Sequence, residues 1–351
     1  MFFRKAIRQV HLWLGFASGI VLLMVAFTGC LLAFEDEIRD VTQHDLLYVE
    51  AQPLPAISVK QIRAAIRKYD STLKLNQIRF YGDPGKAVQC YTRNKKIIAV
   101  HPYSGKILGI RDTSKDVLSL LLSFHRTLLL GETGELIIRC HVWIFLAMLL
   151  SGIVLWMPPR LKQWKQNLVL KSNLPPKRRN YEWHRMLGLY AWLPLVMIAI
   201  TGISMASGGE KKPKVTSTFV NTVASEDIYD KVVHQITHEE PIEVLRVTFP
   251  QDSTGTIAIS ARYVTAGLRK QSVFSFDQYS GKRLKTELYQ QKSFRERFFG
   301  SNYEIHTGRI FGLPGKIVMF LASLIALSLP VTGFLIWKGK RKACFPKIAS
   351  R

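Results

Sequence analysis

Long apolar runs dominate the pattern of hydrophobic and polar positions along this chain. Four runs approach the ~20 residues that an α-helix needs to cross a bilayer core. We predict membrane spans at roughly 11–34, 134–157, 186–206 and 314–337. After the first and third spans the pattern becomes that of soluble α+β structure. The sequence therefore predicts an α-helical membrane protein with four transmembrane helices in two repeats, plus two α+β modules outside the membrane.

The two soluble modules, 38–120 and 208–300, carry the same kinds of elements. In the first we predict an amphipathic helix over 57–69, with Ser58 as its N-cap and Gln61 completing a capping box. Strands follow at 77–81, 87–92 and 97–101. The second module has a helical stretch at 227–237 and strands at 243–249, 255–261 and 272–277. A Tyr-Ser-Gly-Lys turn closes both modules, at 103–106 and 279–282.

These segments divide the whole chain. The predicted layout is a first span (1–37), the first module (38–120), an entry segment with the second span (121–157), a basic loop (158–183), the third span (184–207), the second module (208–300), an entry segment with the fourth span (301–337) and a basic tail (338–351).

Matched spacings indicate that the chain is internally duplicated. His11, Gly15 and Thr28-Gly29 in the first half recur at the same offsets as His184, Gly188 and Thr201-Gly202 in the second. The matched downstream sets are His125, Gly131, Gly134, Gly152 and Trp156, and His306, Gly312, Gly315, Gly333 and Trp337. Both halves therefore preserve two histidines, each at an entrance to a span.

The charge of the chain predicts its orientation. The sequence has 49 Lys and Arg against 25 Asp and Glu, a net charge of +24. Basic residues near span ends stay on the cytoplasmic side, and here they include Arg4, Lys5, Arg8, Arg160, Lys162, Lys165, Lys171, Lys177, Arg178, Arg179, Lys338, Lys340, Arg341 and Lys342. We expect both termini and the middle loop to be cytoplasmic and both modules to lie outside. No nucleic-acid recognition motif accompanies the charge, so we attribute it to topology and to anionic headgroups.

The four matched histidines are the candidate functional residues. Histidine is costly to desolvate within a membrane, so its presence there is a functional hypothesis by default. We predict that His11 and His184 ligate one haem near the cytoplasmic surface, and that His125 and His306 ligate a second haem near the outer surface. The alternative is that these histidines only hydrogen-bond headgroups or neighbouring helices. Zinc is disfavoured because it needs three or four clustered donors.

Several nearby residues are candidates for supporting roles. Gly15 and Gly188, one turn after their histidines, would leave a slot for the porphyrin. His141 has no partner in the other half, where Ala322 stands, and is a candidate haem ligand, propionate partner or proton relay. Arg126, Arg309 and Arg185 are candidate propionate contacts, although the topology rule explains Arg185 equally well.

Missing motifs narrow the chemistry. There is no dinucleotide fingerprint and no P-loop, so electrons would come from a separate donor, either a membrane quinol or a cytoplasmic reductase. The chain also lacks a C-x-x-C-H motif, so the two haems would be non-covalent haem b. The cysteines, at positions 30, 90, 140 and 344, have no spacing that predicts a disulfide framework or a metal cluster.

The helix entrances and module endings resemble the PepSY-associated transmembrane (PiuB-type) family of bacterial membrane proteins. The resemblance lies in VHLWLG, WHRMLG, FHRTLLLG and IHTGRIFGLPG at the entrances, and in HPYSGKILG and FDQYSGKRL at the module endings. It implies a four-span inner-membrane protein with two periplasmic PepSY modules, similar to haem-containing reductases of ferric siderophores.

Together, these interpretations predict a di-haem b-type oxidoreductase that reduces a ferric siderophore or another ferric chelate in the periplasm. The alternatives are a non-catalytic interaction protein, whose PepSY modules bind a peptide or envelope partner, and an accessory subunit of an iron or siderophore importer.

Overall fold

A computed structural model describes residues 2–158, 164–169, 174–207, 215–218, 225–236 and 240–341. Arg160, Lys162, Lys171, Lys342 and Cys344 lie outside the described residues, as does the start of the predicted second module at 208–214. The chain forms two compact units. The membrane unit comprises 1–34, 121–209 and 302–351, and the sheet unit comprises 35–120 and 210–301.

The membrane unit is built from long apolar helices and shorter ones that precede them. Its helices are α1 (Phe2–Leu32), the end of α5 (Val117–Thr127), α6 (Gly131–Trp156), α7 (Pro176–Tyr190), α8 (Trp192–Ala206), α11 (Asn302–His306) and α12 (Gly312–Arg341). Three stretches, Phe2–Leu32, Gly131–Trp156 and Arg309–Gly339, are long and apolar enough to cross a membrane. With the bent pair α7–α8 counted as one span, the described residues contain four. The chain is therefore a multi-pass membrane protein.

The third predicted span is bent, whereas the sequence pattern indicates one continuous helix. Helices α7 and α8 meet at 60° around Ala191. Pro194 explains the break, because it has no N–H for the carbonyl of Tyr190 and its ring clashes with that carbonyl. The apolar run from 186 to 206 therefore crosses a change of direction.

Small residues line the centre of the membrane unit. Its buried cluster combines alanines with a few larger side chains, and consists of Ala26, Phe145, Leu149, Ala191, Leu195, Ala199, Ala322 and Ala326. In a membrane, helices do not associate through the hydrophobic effect, because the lipid tails are themselves apolar. Small residues let the helix backbones approach closely, so that van der Waals contacts hold them together. Ala322, at the position that matches His141, belongs to this cluster.

Tight turns join the short helices α5 and α11 to the long helices that follow. Gly131 (φ +58°) and Gly312 (φ +61°) adopt the left-handed conformation that glycine accepts readily. A Cβ on Gly134 would lie 1.6 Å from the carbonyl oxygen of Thr127, and one on Gly315 would lie 2.1 Å from that of Gly308. These four glycines therefore permit the tight turns between the short helices and the long ones.

The sheet unit contains one eight-stranded antiparallel sheet. Its strands are β1 (Leu75–Tyr81), β2 (Val88–Thr92), β3 (Lys96–Val100), β4 (Ile107–Asp112), β5 (Ile242–Thr248), β6 (Thr256–Tyr263), β7 (Gln271–Asp277) and β8 (Arg283–Glu287), in the order β4-β3-β2-β1-β5-β6-β7-β8. Its helices are α2 (Glu35–Thr42), α3 (His44–Leu47), α4 (Val59–Tyr69), α9 (Asp227–His234), α10 (Phe294–Gly300) and the start of α5. The two soluble segments, which the sequence presents as separate modules, thus share one sheet through the antiparallel β1–β5 pair.

Most predicted elements of this unit are confirmed within two residues. The capping box of Ser58 and Gln61 is present at the start of α4. The Tyr-Ser-Gly-Lys turns join β3 to β4 and β7 to β8, with Gly105 at φ +73° and Gly281 at φ +69°. Strands β4 and β8, which follow these turns, were not predicted.

One face of the sheet forms the core with α4 and α9. Ile78, Val247, Ile257 and Phe276 are fully buried there, together with Val232 of α9. Since side chains alternate between the faces of a strand, the residues adjacent to Ile78 and Val247 point to the opposite face.

Candidate functional site

Two pairs of histidines lie within the membrane unit. The imidazole centroids of His11 and His184 are 6.4 Å apart, with ring planes at 89°. Those of His125 and His306 are also 6.4 Å apart, with ring planes at 76°. The structure thus brings together the four matched histidines in the two pairs named from the sequence.

The two pairs lie at opposite ends of α1. His11 is on the first half of this helix, whereas His125 contacts Thr28 on its second half. A rise of about 1.5 Å per residue puts positions 11 and 28 about 25 Å apart along the helix. The two pairs are therefore separate sites that span most of a ~30 Å hydrocarbon core.

A hydroxyl from another helix contacts each of the four imidazoles at Nδ1. The pairs of atoms are His11 Nδ1 and Ser151 Oγ at 2.8 Å, His184 Nδ1 and Thr332 Oγ1 at 2.8 Å, His125 Nδ1 and Thr28 Oγ1 at 3.0 Å, and His306 Nδ1 and Thr201 Oγ1 at 3.0 Å. Equivalent positions of the two halves give equal distances. Each ring is therefore tied to a helix other than its own.

These hydroxyls favour one tautomer of the rings. Each hydroxyl donates its only proton to a carbonyl of its own helix: Ser151 to Met148, Thr28 to Met24 or Val25, Thr201 to Met197 or Ile198, and Thr332 to Ser328 or Leu329. Its oxygen then accepts from the imidazole, so Nδ1 carries the proton. In a neutral ring, this leaves the lone pair of Nε2 available to a metal ion.

A glycine follows each hydroxyl residue and faces the same imidazole. A Cβ on Gly152 would lie 3.6 Å from Cε1 of His11, and one on Gly29 would lie 3.3 Å from Cε1 of His125. Gly333 and His184 (3.5 Å) and Gly202 and His306 (3.6 Å) repeat this arrangement. The hydroxyl–glycine pair therefore both anchors the ring and leaves room for it.

The spacing of each histidine pair fits a haem iron held between two imidazoles. Two metal–nitrogen bonds of about 2 Å, together with the distance from each nitrogen to its ring centre, account for a centroid separation of this size. In the described part of the chain, no group of three or more His, Cys, Asp and Glu could hold a metal. Two imidazoles per site are enough for a metal ion whose remaining ligands are not protein side chains. A porphyrin would provide such ligands, because it has four nitrogens.

His141 belongs to neither pair. Its ring is 4% exposed and stacks on Phe145, with centroids 6.3 Å apart and planes at 13°. Its Nδ1 is buried and has no hydrogen-bond partner among the described residues. The ring contacts of His125 and His306 are with each other.

The three candidate arginines have different surroundings. Arg185 forms an ion pair with Glu182 at 2.6 Å, and both side chains are largely buried. The guanidinium of Arg309 lies 4.7 Å from the ring centroid of Tyr303. Arg126 is exposed next to His125. The carboxylate of Glu182 already neutralises Arg185, which makes this arginine less suitable for a second anionic partner.

Gly15 and Gly188 face neighbouring helices. A Cβ on Gly15 would lie 3.2 Å from Cε of Met148, and one on Gly188 would lie 3.8 Å from Cδ2 of Leu329. The glycines that contact the histidines are Gly29, Gly152, Gly202 and Gly333.

The roles of the four hydroxyls were not predicted from the sequence. A signal for them exists, because a Ser-Gly or Thr-Gly dipeptide recurs at the matched positions 28–29 and 201–202, and at 151–152 and 332–333. The glycines of these dipeptides were noted as part of the duplication, but the preceding hydroxyl residues had no assigned partner.

Comparison with known proteins gives one family. The family model described as PepSY-associated TM region matches residues 8–340, which is nearly the whole chain. No curated protein matches it.

Proposed function

The chain belongs to the PepSY-associated TM family, and on that premise we propose that it is a di-haem b-type oxidoreductase of the bacterial inner membrane. It carries electrons from the cytoplasmic side and reduces a ferric siderophore or another ferric chelate in the periplasm.

The two imidazole pairs are the observation that carries this proposal. Each pair presents two rings whose Nδ1 atoms are engaged by hydroxyls, so both Nε2 lone pairs are available to one metal ion. Helix packing or headgroup contact alone would not require two such pairs with the same geometry, one near each end of α1.

Each residue of the site has a defined role. His11 and His184 would hold a haem on the cytoplasmic side, and His125 and His306 would hold one on the periplasmic side. When bound, haem iron supplies reversible one-electron chemistry. The hydroxyls of Ser151, Thr332, Thr28 and Thr201 orient the imidazoles and make them more basic ligands. The surrounding apolar helices exclude water and lower the local dielectric.

The partners follow from the direction of transfer. The donor is a membrane quinol or a cytoplasmic reductase, since the chain has no dinucleotide fingerprint. The acceptor is a ferric chelate in the periplasm, where the sheet unit would shape its docking surface. Reduction favours release of iron, because hard oxygen ligands hold Fe(II) less tightly than Fe(III).

Haem analysis of purified variants tests the proposal. Pyridine haemochrome analysis should find close to two non-covalent haem b per chain, and acid-acetone should extract them. His11→Ala or His184→Ala should remove one haem, and His125→Ala or His306→Ala the other. His44→Ala changes an exposed histidine of the sheet unit and should leave both.

Proteoliposomes with the donor enclosed test the activity. The wild type should reduce a ferric chelate added outside, with Fe(II) captured by a ferrous chelator, and either single-haem variant should fail. Protein without haem after expression with an adequate haem supply would contradict the proposal. It would favour an interaction protein or an importer subunit.

A further inference from the structure

Two arginines lie directly opposite each other at the centre of the sheet. Arg79 of β1 pairs with Arg246 of β5, in the middle of a register that runs from Gln77–Thr248 to Tyr81–Val244. Directly opposed residues of an antiparallel pair point to the same face, with Cβ atoms about 5 Å apart. The two arginine side chains therefore leave neighbouring strands on the face opposite the core of α4 and α9.

Further cationic and aromatic groups surround this pair. Arg262 of β6 pairs with Val244 and is thus a diagonal neighbour of Arg246. The guanidinium of Arg79 lies 4.7 Å from the ring centroid of Tyr91. We call Arg79, Arg246 and Arg262 the arginine cluster.

Little negative charge balances the arginine cluster. Glu243 forms an ion pair with Arg262 at 2.8 Å. Among the residues that the structure describes, no carboxylate forms an ion pair with Arg79 or Arg246. The Nε of Arg79 is also buried and has no hydrogen-bond partner within the described ranges. The cluster therefore has unused donor capacity and a net positive charge.

This arrangement has an electrostatic cost. Like charges directly opposite each other destabilise a sheet. Burial, followed by the nearby charges of Arg79, Arg262 and Arg269, lowers the pKa of Arg246 to about 10. These charges take no part in the apolar core, which lies on the opposite face of the same strands. A bound anion would offset the repulsion.

We propose that the arginine cluster binds an anionic ferric chelate through its carboxylate or catecholate oxygens. The identity of the chelate rests on the proposed function, whereas anion binding does not. Guanidinium groups suit such a ligand because each presents a planar fork of donors to paired oxygens. The aromatic ring of Tyr91 beside Arg79 holds one fork in place.

A binding titration with a redox-inert probe tests the site alone. Gallium(III) citrate is titrated into the oxidised full-length protein in phosphatidylcholine nanodiscs, where no anionic headgroup competes. Arg79→Gln with Arg246→Gln should weaken binding at least about tenfold for each charge-assisted hydrogen bond removed, and the dependence of affinity on salt should decrease. Arg246→Lys, which keeps the charge but not the planar fork, should weaken binding less.

Lys68→Gln is the control for loss of a positive charge elsewhere in the sheet unit, at an exposed position of α4 on the other side of the sheet. It should bind like the wild type. Thermal unfolding by circular dichroism should show that the double variant is folded. Equal affinities for the wild type and the double variant would overturn the proposal.

Reduction assays separate the two proposals. With ferric citrate, the double variant should show a raised KM and unchanged haem spectra, while its reduction of a cationic ferric trihydroxamate should match the wild type. If the protein binds gallium citrate but reduces no ferric chelate, the anion site stands and the proposed function is wrong. If phosphatidylglycerol binds the cluster and gallium citrate does not, the ligand is a lipid headgroup. That result would overturn the inference.

Discussion

At the scale of single residues, the Nδ1–hydroxyl hydrogen bonds orient the four imidazoles. Thr28 accepts from Nδ1 of His125 and donates to a carbonyl of α1. The oxygen therefore leaves Nε2 as the atom that can bind iron. Such partners of metal-ligating histidines typically change metal affinity 10–100-fold when they are mutated.

Thr28→Val should therefore weaken the haem that we propose for His125 and His306. The buried Nδ1–H would be left without its acceptor, at a cost of about 1–3 kcal/mol. We expect about tenfold or greater loss of affinity for this haem, with the haem of His11 and His184 retained. Transfer of haem to an excess of apomyoglobin, followed by absorbance, measures the change.

Thr28→Ser keeps the hydroxyl and is the matched control. It should retain haem nearly as well as the wild type. Equal haem loss from the Val and Ser variants would show that the methyl group, and not the hydrogen bond, supports the ring.

The identity of the histidines was predictable from the sequence, but their hydrogen-bond partners were not. Spacing alone marks His11 and His184 as equivalent, because the duplication repeats along the chain. Ser151, however, reaches His11 from a helix 140 positions away, and only the packing of α1 against α6 makes them neighbours. The neighbour of Gly15 was unpredictable for the same reason, since Met148 lies on that other helix.

At the scale of elements, the turn between α5 and α6 determines where His125 stands. Gly134 lies against the backbone of Thr127 so closely that a Cβ would overlap its carbonyl oxygen. Gly315 has the equivalent contact with Gly308 before α12. The absence of a side chain therefore allows each short helix to fold back on the following span.

Gly134→Ala should displace α5 and with it His125. Overpacking of this kind costs about 1–3 kcal/mol or more, because backbone must move. The haem proposed for His125 and His306 should be lost and that of His11 and His184 kept, as measured by haemochrome analysis. Gly300→Ala, whose Cβ meets no atom within 4 Å, should keep both haems. Two haems in Gly134→Ala would show that the turn tolerates a side chain.

An ion pair joins α2 to the start of α5 in the sheet unit. Arg39 donates to Asp116 at 2.9 Å, and Asp116 also accepts from the backbone N–H of Ser119 at 3.1 Å. Burial acts to raise the pKa of Asp116, but hydrogen bonds from the side chains of Arg39 and Ser119 outweigh it and hold this pKa below its usual value.

The stability of the sheet unit should therefore fall in acid. A carboxyl with a depressed pKa stabilises the fold above its unfolded pKa of about 3.9, and the stabilisation is lost as the pH falls through the lower folded pKa. We expect the unfolding temperature, followed by circular dichroism, to decrease below about pH 4, and Asp116→Asn to reduce this dependence. Glu50→Gln, at an exposed position, should not change it.

The local sequence pattern was sufficient to predict some helices and strands but not others. The apolar face and the Ser58 capping box predicted α4 because both signals lie within the helix itself. Strand β8 (Arg283–Glu287) has mostly polar residues, and β4 contains Gly109, so neither shows the alternation typical of a strand. Their hydrogen bonds to β7 and β3 stabilise them, and those partners are defined by the tertiary fold.

At the scale of the whole molecule, the basic residues predict which parts face the cytoplasm. Lys177 lies in an exposed part of α7 near the middle loop, whereas Lys68 lies in an exposed part of the sheet unit. Lys and Arg near span ends resist translocation. We therefore expect these two positions to lie on opposite sides of the membrane.

Labelling of single cysteines tests this topology. In a variant without the four native cysteines, Lys68→Cys should react with a membrane-impermeant maleimide in intact spheroplasts. Lys177→Cys should react only after permeabilisation. The reverse pattern would place the sheet unit in the cytoplasm and contradict the proposed direction of electron transfer.

The β1–β5 pair at the centre of the sheet also imposes an order on biosynthesis. Strand β1 leaves the ribosome long before β5, because positions 82 to 241 separate them and include the second and third spans. Until β5 arrives, β1 presents an unpaired edge of the kind that templates aggregation. A nascent chain paused after the second span therefore carries half a sheet with an open edge. Its maturation would depend on either rapid completion of the chain or a chaperone that covers β1.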